Sequence, residues 1–172
     1  MPLEKRKAVL ALAKKYGVLI LEDNPYGELR FAGEEIPTIK SMDEHGIVIY
    51  NGSYSKVLSA GMRIGFLMAE KELLQRLTVA KQFSDCHSNI FFQIVTDEWL
   101  RTADVDAHIA KLRKIYGERC DFMLGLMEKY IDKRITYTRP DGLVILDPEK
   151  AADCAYARFS ELGGCCVGVV AG

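Results

Sequence analysis

The stretch that decides the fold is "IYNGSYSKVLSAGMRIGF", residues 49–66. Its two ends belong to apolar strings, "IVIY" (47–50) and "IGFLMA" (64–69), whose length and composition predict strands. Between them runs a segment of small and hydroxyl residues with a single lysine, Lys56. Ser53 and Ser55 precede that lysine, and Arg63 follows it by seven positions. A solvated loop lysine is the ordinary reading of such a residue. Hydroxyls on one side and an arginine on the other point instead to a site for an anion and an electrophile.

Upstream, "PLEKRKAVLALAKKYG" carries Leu3, Ala8, Val9, Leu12 and Ala13 at helical spacing, with Pro2 at the start and Gly17 at the stop. "VLILED" (18–23) is a short apolar run ending in acids, which predicts a buried parallel strand. "NPYG" then forms a turn, and "EEIPTIKSMDEHG" reads as a loop leading to the strand at 47–50. Downstream, "EKELLQRLTVAKQFSD" and "NIFFQIVTDEWLRT" predict helices, and a longer helix spans 105–131. After it come "ITYTRP", "GLVILD", a short helical run near 149–162 and "CCVGVV", a change of character that places a domain boundary near Ala103. Strands alternating with helices make the first part α/β.

Composition narrows the function classes. With 172 residues, 49% hydrophobic and 27% charged, the chain is long enough for a globular core. The net charge is −1 and there is no basic block, so no electrostatic footprint for nucleic acid or an acidic membrane exists. No apolar run approaches the ~20 residues of a membrane span, and the charged N-terminal segment lacks a signal core. A cytoplasmic location is the expectation. The five cysteines (Cys86, Cys120, Cys154, Cys165, Cys166) are odd in number and lack C-x-x-C spacing, so neither a metal site nor a disulfide framework is predicted. His87 beside Cys86 makes no metal site alone.

In an open α/β sheet, ligands bind at the carboxyl ends of the strands. Asp23 and Tyr26 lie just past the first strand; Ser53, Ser55 and Lys56 lie just past the second. If those strands are neighbours, an acid, a phenol, a lysine, two hydroxyls and Arg63 share one crevice. "GSYSK" is not a phosphate-binding P-loop, because the Gly-Lys-Ser/Thr triplet is missing. No G-x-G-x-x-G or G-x-S-x-G occurs either. A lysine beside hydroxyls serves as a nucleophile toward a carbonyl, an arginine fork and hydroxyls hold a phosphate, and a carboxylate holds a protonated ring nitrogen. Those are the needs of pyridoxal 5'-phosphate (PLP).

"LEDNPYGELRF", "GSYSKVLSAGMRIGF" and "KQFSDCHSNIFFQ" together resemble the class I/II aminotransferases of PLP fold type I, in the branch that includes aminoadipate and kynurenine aminotransferases. The resemblance covers about residues 3–140, and D-x-P-Y combined with S-x-S-K and its downstream arginine is its specific part. It implies part of the large PLP-binding domain in 1–103, three layers around a mostly parallel sheet. A linker helix and the start of a small α+β domain would follow in 104–172. It implies a transaminase that moves an amino group from an amino acid to a 2-oxo acid through a Lys56 Schiff base, in a homodimer. Lys56 would also be the proton-moving base, Asp23 would hold the ring nitrogen, and Tyr26 would bond the phenolic oxygen. Ser53, Ser55 and Arg63 would hold the phosphate, and Pro25 would aim Tyr26.

Relative to that family the chain is expected to be incomplete. The glycine-containing phosphate loop, the ring-stacking aromatic and an asparagine lie upstream in the family, and the carboxylate-binding arginine lies downstream. A change of reading frame near Gly142 is expected from the unfamiliar tail. Aminotransferase-like domains also serve as ligand sensors in transcription regulators, so a regulator without its DNA-binding head is the alternative. An interaction remnant that keeps only a dimer surface is the third reading.

Overall fold

The computed structural model describes residues 1–132, 137 and 139–142. The tail readings ("GLVILD" beyond Gly142, the helical run at 149–162, "CCVGVV" and the frame change), together with half of "ITYTRP", lie outside the described residues. Contacts divide the chain into two compact units, the first Met1–Glu28 with Glu34–His108, the second Leu29–Gly33 with everything from Ile109 onward.

The first unit opens with helix α1, Leu3–Tyr16. Gly17 ends it in the left-handed region at φ 63°, and the amide of Val18 bonds back to the Ala13 carbonyl at 3.1 Å. Glycine suits this position because a side chain at positive φ meets its own backbone. The chain then enters strand β1, Ile20–Asp23. Strand β2, Val48–Ser53, lies beside it in parallel, with Ile20 opposite Val48 and Asp23 opposite Asn51. Strand β3, Gly65–Met68, runs antiparallel on the other side of β2, with Ser53 opposite Gly65 and Gly52 opposite Phe66. The first strand is parallel as read and is the neighbour of the second, but it is not buried as expected: Val18, Leu19 and Leu21 are each more than half exposed, because no further layer of the described residues covers them. The second strand is longer than expected, so Ser53 is its last residue and does not lie beyond its end.

At the β2–β3 step the buried Gly52 faces the Phe66 ring so closely that a Cβ there would overlap it. Phe66 also lies 5.5 Å from the Tyr54 ring and 6.1 Å from the Tyr50 ring, centroid to centroid. The loop expected at 34–46 is ordered by two acids. Glu22 accepts the amides of Ile39 and Lys40, each at 2.8 Å. Asp43, whose side chain is fully buried, accepts the amides of His45, Ile47 and Val48 and the Lys40 ammonium. Burial pushes the Asp43 carboxyl up, but the bonds from Val48, Lys40, Ile47 and His45 outweigh it and hold it at about 2.

Helices α2 (Lys71–Asp85) and α3 (Ile90–Thr102) follow; Asn89 caps α3 through the Phe92 amide. The buried apolar residues of this unit include Val48, Ala13, Ile39, Val57 and Ile64. Many others are open: Leu21 is 66% exposed, and Ile90, Phe91 and Ile94 on α3 are each 60% exposed or more. Helix α4, Val105–Tyr130, matches the predicted long helix and runs from the first unit into the second. In the second unit Cys120, Leu124 and Met127 form a small core against Phe31, Met123 and Ile131. Among the described residues no helix is long and apolar enough to cross a membrane.

Candidate active site

The parallel pairing of β1 and β2 sends both strands out of the sheet at the same end. Asp23 leaves β1 directly opposite Asn51, whose side-chain amide donates to Asp23 Oδ1 at 2.7 Å. The Asn24 amide extends the ladder by one bond to the Asn51 carbonyl, at 2.9 Å. The Asn24 side chain donates to the Tyr50 hydroxyl at 3.2 Å. Burial pushes the Tyr50 hydroxyl's pKa up; the Asn24 bond works against this, and the carboxylates of Glu28 and Glu22 add to the rise. Burial likewise raises Tyr54. Both phenols therefore stay neutral and keep their donor protons. Tyr26, half-buried, sits in the turn that follows β1, with Pro25 before it and a 3-10 turn (Gly27–Leu29) after it.

Past the end of β2 the segment of small and hydroxyl residues coils into two short turns. Ser55–Ser59 is a π-helical turn, and Ala60–Met62 a 3-10 turn. The Tyr54 carbonyl accepts both the Leu58 amide at 2.8 Å and the Ser59 amide at 3.1 Å, the second being the wide π bond. Such turns are rare and concentrate at functional sites. Lys56 is the second residue of this turn and is half-buried. Ser53 and Ser55 are joined at its mouth: the hydroxyls lie 3.0 Å apart, and the Ser55 amide donates to the Ser53 hydroxyl at 3.2 Å. The excursion closes where the Tyr54 amide meets the Ile64 carbonyl at 3.1 Å, which brings Arg63 back beside the serines' strand.

Among the described residues Arg63 is one of two non-glycine residues at positive φ, at 58°. A left-handed arginine is uncommon, and a strained conformation of this kind persists where surrounding structure imposes it. Its guanidinium is exposed and bonds the Ala60 carbonyl at 3.3 Å. The structure thus brings Asp23, Ser53, Ser55 and Lys56 to one end of two neighbouring strands. Tyr26 lies on the turn above them. Arg63 arrives at the same loop, but its side chain points to its own turn and not to the serine pair.

This donor set fits PLP. A carboxylate at a strand end, a lysine on a short turn and two coupled hydroxyls are groups that its ring nitrogen, aldehyde and phosphate require. Sequence reasoning missed Asn51 and Asn24 as part of the site. The signal for Asn51 was register: it is the β2 residue level with Asp23 once the strands are taken as parallel.

The model of the family described as aminotransferase class I and II matches residues 1–157. The chain belongs to the class I and II aminotransferases. An aromatic-amino-acid aminotransferase of Thermococcus litoralis is 41% identical over 139 residues, which are 81% of this chain and 33% of that protein. The crystal structure of a kynurenine aminotransferase of Pyrococcus horikoshii superposes with a TM-score of 0.79 at 37% identity, over 83% of this chain and 35% of that one. A helix-turn-helix transcriptional regulator of Bacillus subtilis is 32% identical over 139 residues, 81% of this chain and 29% of that protein. The chain thus spans about a third of the length of the relatives it matches. Its fold is that of the PLP fold type I aminotransferases, as the resemblance implied.

Proposed function

We propose that this aminotransferase chain carries the cofactor-anchoring part of a PLP-dependent transaminase acting on an amino acid and a 2-oxo acid. The observation that carries the reading is the meeting of Asp23 and the Ser53–Ser55–Lys56 run at one end of the parallel pair β1–β2. The relatives that are aromatic and kynurenine aminotransferases support it. When bound, PLP supplies an electron sink for the pair left at the substrate's α-carbon.

The chain's own residues then have definite tasks. Lys56 Nζ would hold the cofactor's aldehyde carbon as an imine with loss of water and, displaced by the substrate's amine, would carry a proton from the substrate's α-carbon to the cofactor-side carbon. Asp23, oriented by Asn51, keeps the ring nitrogen protonated by opposing its charge. Tyr26 would donate its hydroxyl to the cofactor's phenolic oxygen. Ser53 and Ser55 would hold the phosphate, and Arg63 would join them on leaving the Ala60 carbonyl. The PLP-binding part is proposed to occupy residues 1–103, with 104–172 leading into the small domain. The open apolar residues of α3 support a homodimer, in which further protein covers them.

The test is covalent. PLP followed by borohydride should place the pyridoxyl label on Lys56, and Lys56→Ala should abolish it. A label spread over surface lysines such as Lys14 and Lys111 would remove the assignment.

The regulator relative supports one alternative, a ligand-sensing PLP domain. Coding sequence upstream separates the two: a helix-turn-helix region would favour the sensor.

A further inference from the structure

We propose that His108 is a positioning residue for Lys56: it clamps the π turn that carries the lysine by donating a hydrogen bond to the Val57 carbonyl. This rests on the reading of Lys56 as the PLP lysine.

The contact joins residues far apart in sequence. His108 Nε2 lies 2.8 Å from the Val57 oxygen. A carbonyl oxygen only accepts, so the proton is on Nε2 and His108 is the donor. Val57 is the residue after Lys56 and is itself buried, at 7% exposure. Its side chain anchors the turn on one side and its carbonyl is held from the other. A π turn is a rare local geometry, and a donor from outside the turn satisfies the Val57 carbonyl.

His108 is itself held in place. Asp104 caps α4, its Oδ1 accepting the Ala107 amide at 3.0 Å, and its carbonyl accepts the His108 amide at 3.0 Å. The Trp99 ring meets the imidazole edge-on at 5.4 Å and 81°. Trp99 belongs to the last turn of α3, and the Ala103 amide bonds its carbonyl at 2.9 Å, so the corner between α3 and α4 is short and rigid. A chain of direct contacts therefore leads from the α3–α4 corner through His108 to the backbone beside Lys56. Placing a catalytic lysine within a fraction of an ångström needs this kind of support, because small misplacements are costly in rate.

Three variants test the clamp in the full chain. His108→Gln keeps an N–H donor at similar reach; His108→Leu keeps bulk without the donor; His108→Asn keeps polarity but falls short, and replaces the leucine variant if that does not fold. Hydrogen exchange followed by mass spectrometry needs no cofactor. With the donor lost, peptides covering 55–59 should exchange on the order of tenfold faster while those of β1 and β2 are unchanged; the glutamine variant should stay near the parent. Pyridoxyl labelling of Lys56 should fall severalfold in the donor-less variants and recover in His108→Gln. Equal exchange and equal Lys56 labelling in all variants would overturn the clamp and leave Lys56 standing. A parent chain that labels elsewhere overturns the Lys56 reading and the clamp's purpose with it, even if the local exchange effect is seen. Faster exchange throughout the unit would overturn the clamp by showing a general folding role.

Discussion

Asn51 and Asp23 are bonded side chain to side chain across two parallel strands, Nδ2 to Oδ1 at 2.7 Å. Their backbones are direct partners in the ladder, so the bond is fixed by register and not by a chance rotamer. It leaves Asp23 one oxygen directed by the sheet and the other open for a ring nitrogen.

In an enzyme containing the complete family fold, Asp23→Ala should lower turnover far more than cofactor affinity. The carboxylate matters most as negative charge develops on the ring, and a charge-assisted bond strengthened there is worth roughly 30- to 1000-fold in rate. Asn51→Leu should act in the same direction but more weakly, about tenfold, because it only frees Asp23 to rotate. Steady-state kinetics against PLP titration measures both; unchanged turnover in Asp23→Ala would contradict its role.

Gly52→Val should be damaging without touching any proposed catalytic group. The Phe66 ring occupies the space of a Cβ, and β3 must move to admit one. Overpacking of this kind costs about 1–3 kcal/mol. Pairing it with Phe66→Ala, which empties the space, should restore part of the loss in urea melts; strict additivity of the two would show that they do not meet.

Asp43 should give the fold an acid limit. Its carboxyl sits at about 2, against 3.8 for an unperturbed aspartate. A depressed pKa favours the folded state above the unfolded value, so the stabilisation is complete above about pH 4 and is lost as pH falls through about 2. Its size is about 2 kcal/mol. Asp43→Asn should therefore melt at a lower temperature than the parent at pH 7, with the gap closing toward pH 2. A gap that does not narrow would mean that the carboxylate's charge contributes nothing.

Expressed alone, the 172 residues should show no amino-group transfer to 2-oxoglutarate above the background of free PLP. In the proposed site these residues bring Ser53, Ser55 and Arg63 to the phosphate and span about a third of the relatives' length; each charge-assisted bond made by other parts of the fold is worth about 1.5–3 kcal/mol. The same preparation should bind a hydrophobic dye, since Leu21, Ile90, Phe91 and Ile94 are all at least 60% exposed. Clear turnover that vanishes in Lys56→Ala would show the chain to be sufficient.

Much of this was determined by the sequence alone. Gly17 and Pro2 bracketed α1, and the apolar runs marked the three strands to within two or three residues, because helix ends and strand-forming composition are local signals. The spacing of Lys56 from its serines and Arg63 pointed to PLP, since few cofactors need a lysine, hydroxyls and an arginine together, and PLP is the cofactor of the family that the chain matches. Tertiary structure decided the rest. Asn51 joined the site only when β1 and β2 paired in register, a relation between residues 28 apart. The π turn at Ser55–Ser59 escaped notice because its hydrogen bonds and its outside support leave no periodic signature in so short a run. His108 is the extreme case: nothing local distinguishes it, and its role comes from a bond to Val57, 51 residues away, that exists only once the α3–α4 corner has folded against the turn.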